Sequence, residues 1–219
     1  MSVFIAGAGA GVGQETVKAA IAASLDVCAM IRNDDQRENL ESLGAKVVVA
    51  DAFDASATAS ALASAGGVDA IVCCLGSKPA DARRIDYEGT KSLAAAASGA
   101  GVTRFLLVTS FGCGETRGVV PPPLLEKIGA ALDEKDKAEA YLAETGLAWT
   151  ILRPGGLSDD PASGTAVLTE SGDVMGGINR ADVAALIVRC LNSDNTVGKK
   201  LGAIDTAKVR AGEPVPFEA

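Results

Sequence analysis

Short apolar runs, separated by longer polar or alanine-rich stretches, recur along the chain. Val3-Phe4-Ile5 is the first, and Val27-Cys28-Ala29-Met30-Ile31 the second. Lys46-Val47-Val48-Val49-Ala50 follows, then Asp69-Ala70-Ile71-Val72-Cys73-Cys74-Leu75-Gly76. Residues 104–109 and 148–153 supply two more. Runs this short are too brief for buried helices and read as buried strands. Between them, residues 14–23, 56–65, 86–98, 124–144 and 180–191 read as helices, and Gly66-Gly67, Gly99 and Gly101 stop two of these. Val119 to Pro123 is a stiff linker, residues 157–164 a polar loop, and residues 165–169 a short strand or edge. Strands alternating with helices predict an α/β fold with a mostly parallel sheet. No internal repeat and no second domain interrupts the pattern. Residues 1–202 form one domain in this reading, and residues 203–219, with two prolines, form an edge strand and tail.

The first strand runs into Ala6-Gly7-Ala8-Gly9-Ala10-Gly11-Val12-Gly13, immediately before the first helix. Glycines let the backbone turn sharply and approach an anion closely. The unpaired N–H groups of the helix start and the helix dipole then hold that anion. This is the phosphate-binding corner of a Rossmann-type, doubly wound sheet. A strict G-x-G-x-x-G from Gly7 fails at Val12, whereas G-x-x-x-G-x-G fits with Gly7, Gly11 and Gly13.

Ligands of such sheets bind beyond the carboxyl ends of the strands. Arg32 ends the second strand, where an arginine selects a 2′-phosphate and hence NADP(H) over NAD(H). Arg37 stands one turn later and can face the same phosphate. Asp34 and Asp35 are expected to cap a short helix. Asp51 and Ala52 leave the third strand, where an acid can meet an adenine amino group. Alternatively, Asp51 or Asp54 caps the next helix. Gly76 leaves the fourth strand, Ser110 the fifth, and Pro154-Gly155 the sixth. Their convergence places Ser110 at the chemistry and Pro154-Gly155 over the nicotinamide end.

Composition narrows the chemistry. The 219 residues carry a net charge of −8, so the basic footprint of a nucleic-acid binder is absent. No apolar run approaches membrane-span length. The N-terminus has no basic region or cleavage site, which predicts a cytoplasmic protein, or an organellar one if a transit peptide has been trimmed. The five cysteines, Cys28, Cys73, Cys74, Cys113 and Cys190, read as free thiols, with Cys113 alone in a glycine-rich loop where reactivity is worth testing. The chain has no histidine, which removes imidazole catalysis and histidine metal sites. A small-molecule substrate is expected, with no metal, no nucleic acid and no membrane partner, in a monomer or weak homodimer.

The glycine turn, "MIRNDDQ", "VVVADAFD", "DYEGTKSLAAAASGAGVTRFLLVTSFG", "KAEAYLAETGLAWTILRPGGL" and "INRADVAALIVRCL" occur in an order that resembles the atypical short-chain dehydrogenase/reductases of the NmrA-like NAD(P)H-binding family. The resemblance covers about residues 2–200 and is greatest to the branch that reduces biliverdin and flavins. It implies that Gly7, Gly9, Ala10, Gly11, Val12 and Gly13 hold the diphosphate, and Arg32 and Arg37 the 2′-phosphate. It further implies that Asp51 and Ala52 meet adenine, and that Leu75, Gly76 and Ser77 line the ribose. Thr109 and Ser110 then lie by the nicotinamide, with Pro154 and Gly155 above it. Family dehydrogenases use Tyr-x-x-x-Lys as proton donor. Here Tyr87 and Lys91 have the spacing but precede the serine-bearing strand. Lys137 holds the lysine position with Asp133, not tyrosine, four residues earlier; it either touches the cofactor or pairs with Asp133. The reading is therefore an NADPH-dependent reductase that hands hydride to a planar conjugated acceptor such as a flavin, quinone or bilin, with Ser110 and Lys137 as candidate catalytic residues. The alternative is a non-catalytic NADP(H) sensor or scaffold.

Overall fold

Neighbouring residues of the first strand, β1 (Ser2–Ala6), serve opposite cores. Val3 and Ile5 pack on one face of the sheet, Phe4 and Ala6 on the other. The second strand, β2 (Asp26–Ile31), repeats the division, with Val27, Ala29 and Ile31 on the first face and Cys28 and Met30 on the second. A strand flanked on both faces needs apolar residues at every position, which is why these segments read as continuous runs.

In the computed structural model, which describes residues 1–78 and 81–219, the alternation of elements is sustained. After β1 come α1 (Gly11–Ala22), β2, α2 (Arg37–Ser42), β3 (Lys46–Val49), α3 (Ala55–Ala65), β4 (Ala70–Cys73), α4 (Asp86–Ala100) and β5 (Arg104–Val108). Then follow α5 (Pro122–Ala143), β6 (Ala148–Pro154), β7 (Gly156–Ser158), β8 (Ala166–Thr169), β9 (Met175–Asn179), α6 (Arg180–Leu191), β10 (Lys199–Asp205) and β11 (Val209–Ala211). The main sheet has the order β3-β2-β1-β4-β5-β6-β10-β8, parallel except for β8. Helices α1, α2 and α6 cover one face through residues such as Val17, Leu40 and Ile187. Helices α3, α4 and α5 cover the other through Leu62, Leu93 and Leu142. This is a single-domain Rossmann-like α/β fold.

The end of the chain departs from the sequence-based expectation. The boundary expected between residues 202 and 203 falls inside β10, an interior strand that pairs with β6 on one side and β8 on the other. Leu201, Ala203 and Ile204 are buried. The leading Lys199-Lys200 pair and Gly202 disguise the strand in the sequence. Gly202 is required where it stands, because a Cβ there would overlap the Phe111 ring. The polar loop is also shorter than expected, since Gly156–Ser158 joins β9 and β11 in a second small sheet at the exit of β6.

Candidate cofactor site

The turn between β1 and α1 is held by its neighbours. Ala8 N–H donates to the Met30 carbonyl at 3.2 Å, and Cys74 N–H to the Ala6 carbonyl at 2.9 Å. Gly7 has φ +78° and Gly11 φ +58°, both in the left-handed region. A Cβ on Gly7 would come within 2.8 Å of the Cys74 carbonyl, and one on Gly13 would overlap the Gly7 carbonyl. Those two glycines are demanded by the fold. Gly9 is not: a Cβ there would meet only Ile31 and Gln36 side chains, at 3.6 and 3.8 Å. Its bareness serves the cleft it lines. The start of α1 tells the same story. Ala10 occupies the N-cap and offers no side-chain acceptor, and the first turn has no acidic residue. An uncapped helix start leaves N–H groups without partners, which fits a phosphate ligand.

From this turn a cleft of 580 Å³ runs along the exits of β1 to β4. Gly7, Gly9, Ala10, Arg32, Asp51, Ala52, Leu75 and Gly76 line it, as the sequence suggested, joined by Asp35, Phe53 and Lys78. Phe53 is itself covered by the Arg83 guanidinium, 3.7 Å from its ring centre. Asp54 is the cap of α3, accepting from Ser56 and Ala57 N–H, which leaves Asp51 facing the cleft.

Several expected residues stand elsewhere. Arg37 does not join Arg32: its guanidinium is taken by Asp34 at 2.6 Å and Glu41 at 3.2 Å, with the Val47 carbonyl at 3.3 Å. Asn33, not Asp34 or Asp35, holds the cap position of the short helix there. Lys137 is 60% exposed and pairs with Glu134 at 2.6 Å, not with Asp133. Thr109 is buried, and its hydroxyl donates to Glu139 Oε1 at 2.7 Å. Glu139 also binds Arg153 at 2.6 Å, so Thr109 belongs to a buried ionic brace between β5, α5 and β6. Ser77 holds Asp86, with its N–H at 3.1 Å and its hydroxyl at 2.5 Å from Oδ2. Ser110 does stand at the exit of β5, its hydroxyl donating to the Phe111 carbonyl at 2.8 Å. Pro154 and Gly155 stand at the exit of β6, where Gly155 is fixed against the Gly176 carbonyl. Tyr87 packs edge-on against Tyr141, ring centres 6.1 Å apart, so the Tyr87–Lys91 spacing is a helix-surface arrangement. Cys113 is fully buried; burial, then the nearby Glu139 and Asp136 charges, push its thiol up to about 12, so it is not a reactive thiol.

The lysine at the site is Lys135. Its ammonium lies 2.7 Å from Asp86 Oδ1, with Lys135 17% exposed and Asp86 1%. A Cβ on Gly76 would lie 3.5 Å from that nitrogen, so the pair borders the cleft at the exit of β4. Burial pushes the Asp86 carboxyl up, but the Lys135 charge and the hydrogen bonds from Lys135 and Ser77 outweigh it and hold it below its ordinary value. The spacing Leu132, Lys135, Ala138-Glu139, Leu142 was the available signal. Leu132, Ala138, Glu139 and Leu142 are the buried stripe of α5, half-buried Lys135 falls in line with it, and Lys137 lies off it.

A bare glycine turn on an uncapped helix, opening along the strand exits of a parallel sheet, is the architecture of a dinucleotide-binding Rossmann protein. The sequence profile of the NAD(P)H-binding family matches residues 7–194, and the chain belongs to that family. It is 31% identical over 207 residues to YhfK of Bacillus subtilis (strain 168), called an uncharacterized sugar epimerase, covering 90% of each chain. It is 34% identical to the solved structure of ChuY, an anaerobilin reductase from Escherichia coli O157:H7, with a TM-score of 0.85 over 94% of this chain and 98% of that one. Sanguinarine reductase of Eschscholzia californica is 34% identical over 123 residues, 53% of this chain and 43% of its own. No helix among the described residues is long and apolar enough to cross a membrane.

Proposed function

We propose that this protein is an NADPH-dependent reductase of a planar conjugated acceptor, of the flavin, quinone or bilin class. The observation that carries the cofactor choice is Arg32 at the exit of β2, lining the adenosine end of the cleft. A guanidinium there matches a 2′-phosphate, and its fork pairs with phosphate oxygens in two parallel hydrogen bonds. Two relatives that are reductases by name, ChuY and sanguinarine reductase, support the reaction class.

The bound cofactor supplies the hydride. The chain supplies binding and orientation. The α1 start and the glycine turn hold the diphosphate, and Asp51 and Ala52 face the adenine. Lys135, anchored by Asp86, offers N–H donors beside Gly76 on the ribose side. Ser110 can turn its hydroxyl from the Phe111 carbonyl toward the nicotinamide amide or the acceptor. Both tyrosines pack together between α4 and α5, so no phenol is placed as acid at the strand exits. An acceptor whose own conjugation takes up the electron pair, with its proton from water, suits that inventory.

The missing phenol also favours the reading of a cofactor-binding sensor without turnover. NADPH oxidation against FMN, FAD, quinones and biliverdin, with NADH as control, separates the two. Turnover with one acceptor supports the reductase; NADPH binding without turnover on any of them supports the sensor. The substitution Arg32→Ala is expected to weaken NADPH about tenfold or more while leaving NADH within about twofold, the loss expected for a charge-assisted pair. Equal losses would remove Arg32 as the phosphate ligand.

A further inference from the structure

A cation stands beside the phosphate turn that the glycine pattern did not reveal. Arg180 opens α6, and a Cβ built on Gly11 would lie 3.6 Å from its Nε and 3.8 Å from its Cδ. Helices α1 and α6 lie on the same face of the sheet, and both begin at the carboxyl ends of the strands. Arginine at the first position of a helix opposes the dipole, which favours acids there and bases at the far end. The helix itself gains nothing from that charge. Asp182, in the same first turn, is buried and fully used by Ser163, Gly164 and Asn179.

The partner of Arg180 is Asp159, 2.7 Å from Nη1. Asp159 is 88% exposed and sits just after β7. Its neighbour Asp160 is tied separately, to Lys208 at 3.1 Å. An ion pair this wet contributes little and exchanges partners easily. Glycine at position 11 keeps the space between the guanidinium and the turn free of any side chain.

We propose that Arg180 is a diphosphate ligand that exchanges Asp159 for the cofactor. The inference rests on the dinucleotide reading of this cleft. In the free protein, Asp159 neutralises the arginine. When a dinucleotide lies on the α1 start, the guanidinium donates to a diphosphate oxygen and Asp159 returns to solvent. Because NADH and NADPH share the diphosphate, this residue acts on both, unlike Arg32. Asp159 competes with the ligand and thereby sets affinity without touching it.

The test is titration of the purified protein with NADPH and with NADH, following cofactor fluorescence. Arg180→Gln is expected to weaken both by about tenfold, the usual scale for losing a charge-assisted hydrogen bond. Arg180→Lys is expected to recover most of that loss. Asp159→Asn is expected to tighten both by about threefold, in keeping with the small worth of an exposed pair. That gain is expected to vanish in the Arg180→Gln background, as for coupled residues. Thermal midpoints without cofactor identify a merely structural role, which would lower stability in both Arg180 variants and leave the Asp159→Asn titration unmoved. Wild-type affinity in Arg180→Gln, or a loss confined to NADPH, overturns the inference while the proposed function stands. Wild-type protein that binds neither dinucleotide removes the proposed function itself, and the inference with it.

Discussion

Removing the Lys135 ammonium tests whether the lysine that borders the cleft is held there by Asp86. The two groups are 2.7 Å apart and Asp86 is almost completely buried. At an effective dielectric near 20, their attraction is roughly 6 kcal/mol, offset by several kcal/mol of desolvation. Deleting one partner of a buried pair typically costs about 3–5 kcal/mol, because the other charge is left stranded. Lys135 keeps some solvent contact, so Lys135→Met is expected at the low end, about 3 kcal/mol. Asp86→Asn keeps an acceptor for Ser77, and the double variant is expected to lose only about 1 kcal/mol, because no stranded charge remains. Urea denaturation of the four proteins at pH 7, without cofactor, gives the coupling directly. The pH dependence supplies an independent sign. In the wild type the depressed Asp86 carboxyl adds stability above its unfolded value of about 3.9, and loses it as pH falls through the lower folded value. In Lys135→Met, burial raises that carboxyl instead, so its deficit against wild type is expected to shrink as pH falls from 7 to 4. A loss under about 1 kcal/mol, strict additivity in the double variant, or a deficit that grows with acidity would refute the reasoning.

Gly13→Ala separates propensity from sterics: alanine favours a helix by about 1 kcal/mol, yet its Cβ would overlap the Gly7 carbonyl. A net loss of about 2 kcal/mol in urea titration, with loss of dinucleotide binding, is expected; a stabilised variant would show that the turn is not closed as described. Ser110→Ala is expected to lower turnover on the active acceptor about tenfold or more with NADPH affinity unchanged, in steady-state kinetics paired with a binding titration. Unchanged turnover would leave Ser110 a loop residue bonded to the Phe111 carbonyl.

The glycine turn, the six leading parallel strands and the strand-exit residues Arg32, Asp51, Ala52, Leu75 and Gly76 of the cleft are legible in the sequence because each depends on short-range rules. A buried strand announces itself as an apolar run, and a strand exit is simply where that run ends. Arg32 is found that way. Arg37 is misjudged because its competition is local and acidic: Asp34 and Glu41 lie three and four residues away on its own helical turns. Lys137 is misjudged for a different reason. A spacing carried over from a tyrosine that this chain lacks fixes no helical phase, whereas the Leu132–Leu142 stripe does, and it selects Lys135. The family resemblance, not the strand exit, puts Thr109 near the nicotinamide. Its hydroxyl turns inward because Glu139, an acid on the buried stripe of α5, needs donors. In the sequence Arg180 is only a helix start, since its nearness to Gly11 depends on long-range packing.

The position of β10 in the sheet has a consequence for how the chain is made. Strand β8 leaves the ribosome about thirty residues before β10, yet among the described residues its only extended ladder is to β10, beside a single bridge from Thr169 to Pro216 that is made later still. Strand β6 likewise waits for β10 to cover its outer side. A nascent chain that has not reached residue 199 therefore carries two open strand edges, both rich in apolar side chains, of the kind that recruits other chains. The last strand of the main sheet to be synthesised pairs with both at once, so during translation the protection of these two edges from aggregation rests on residues 199–205.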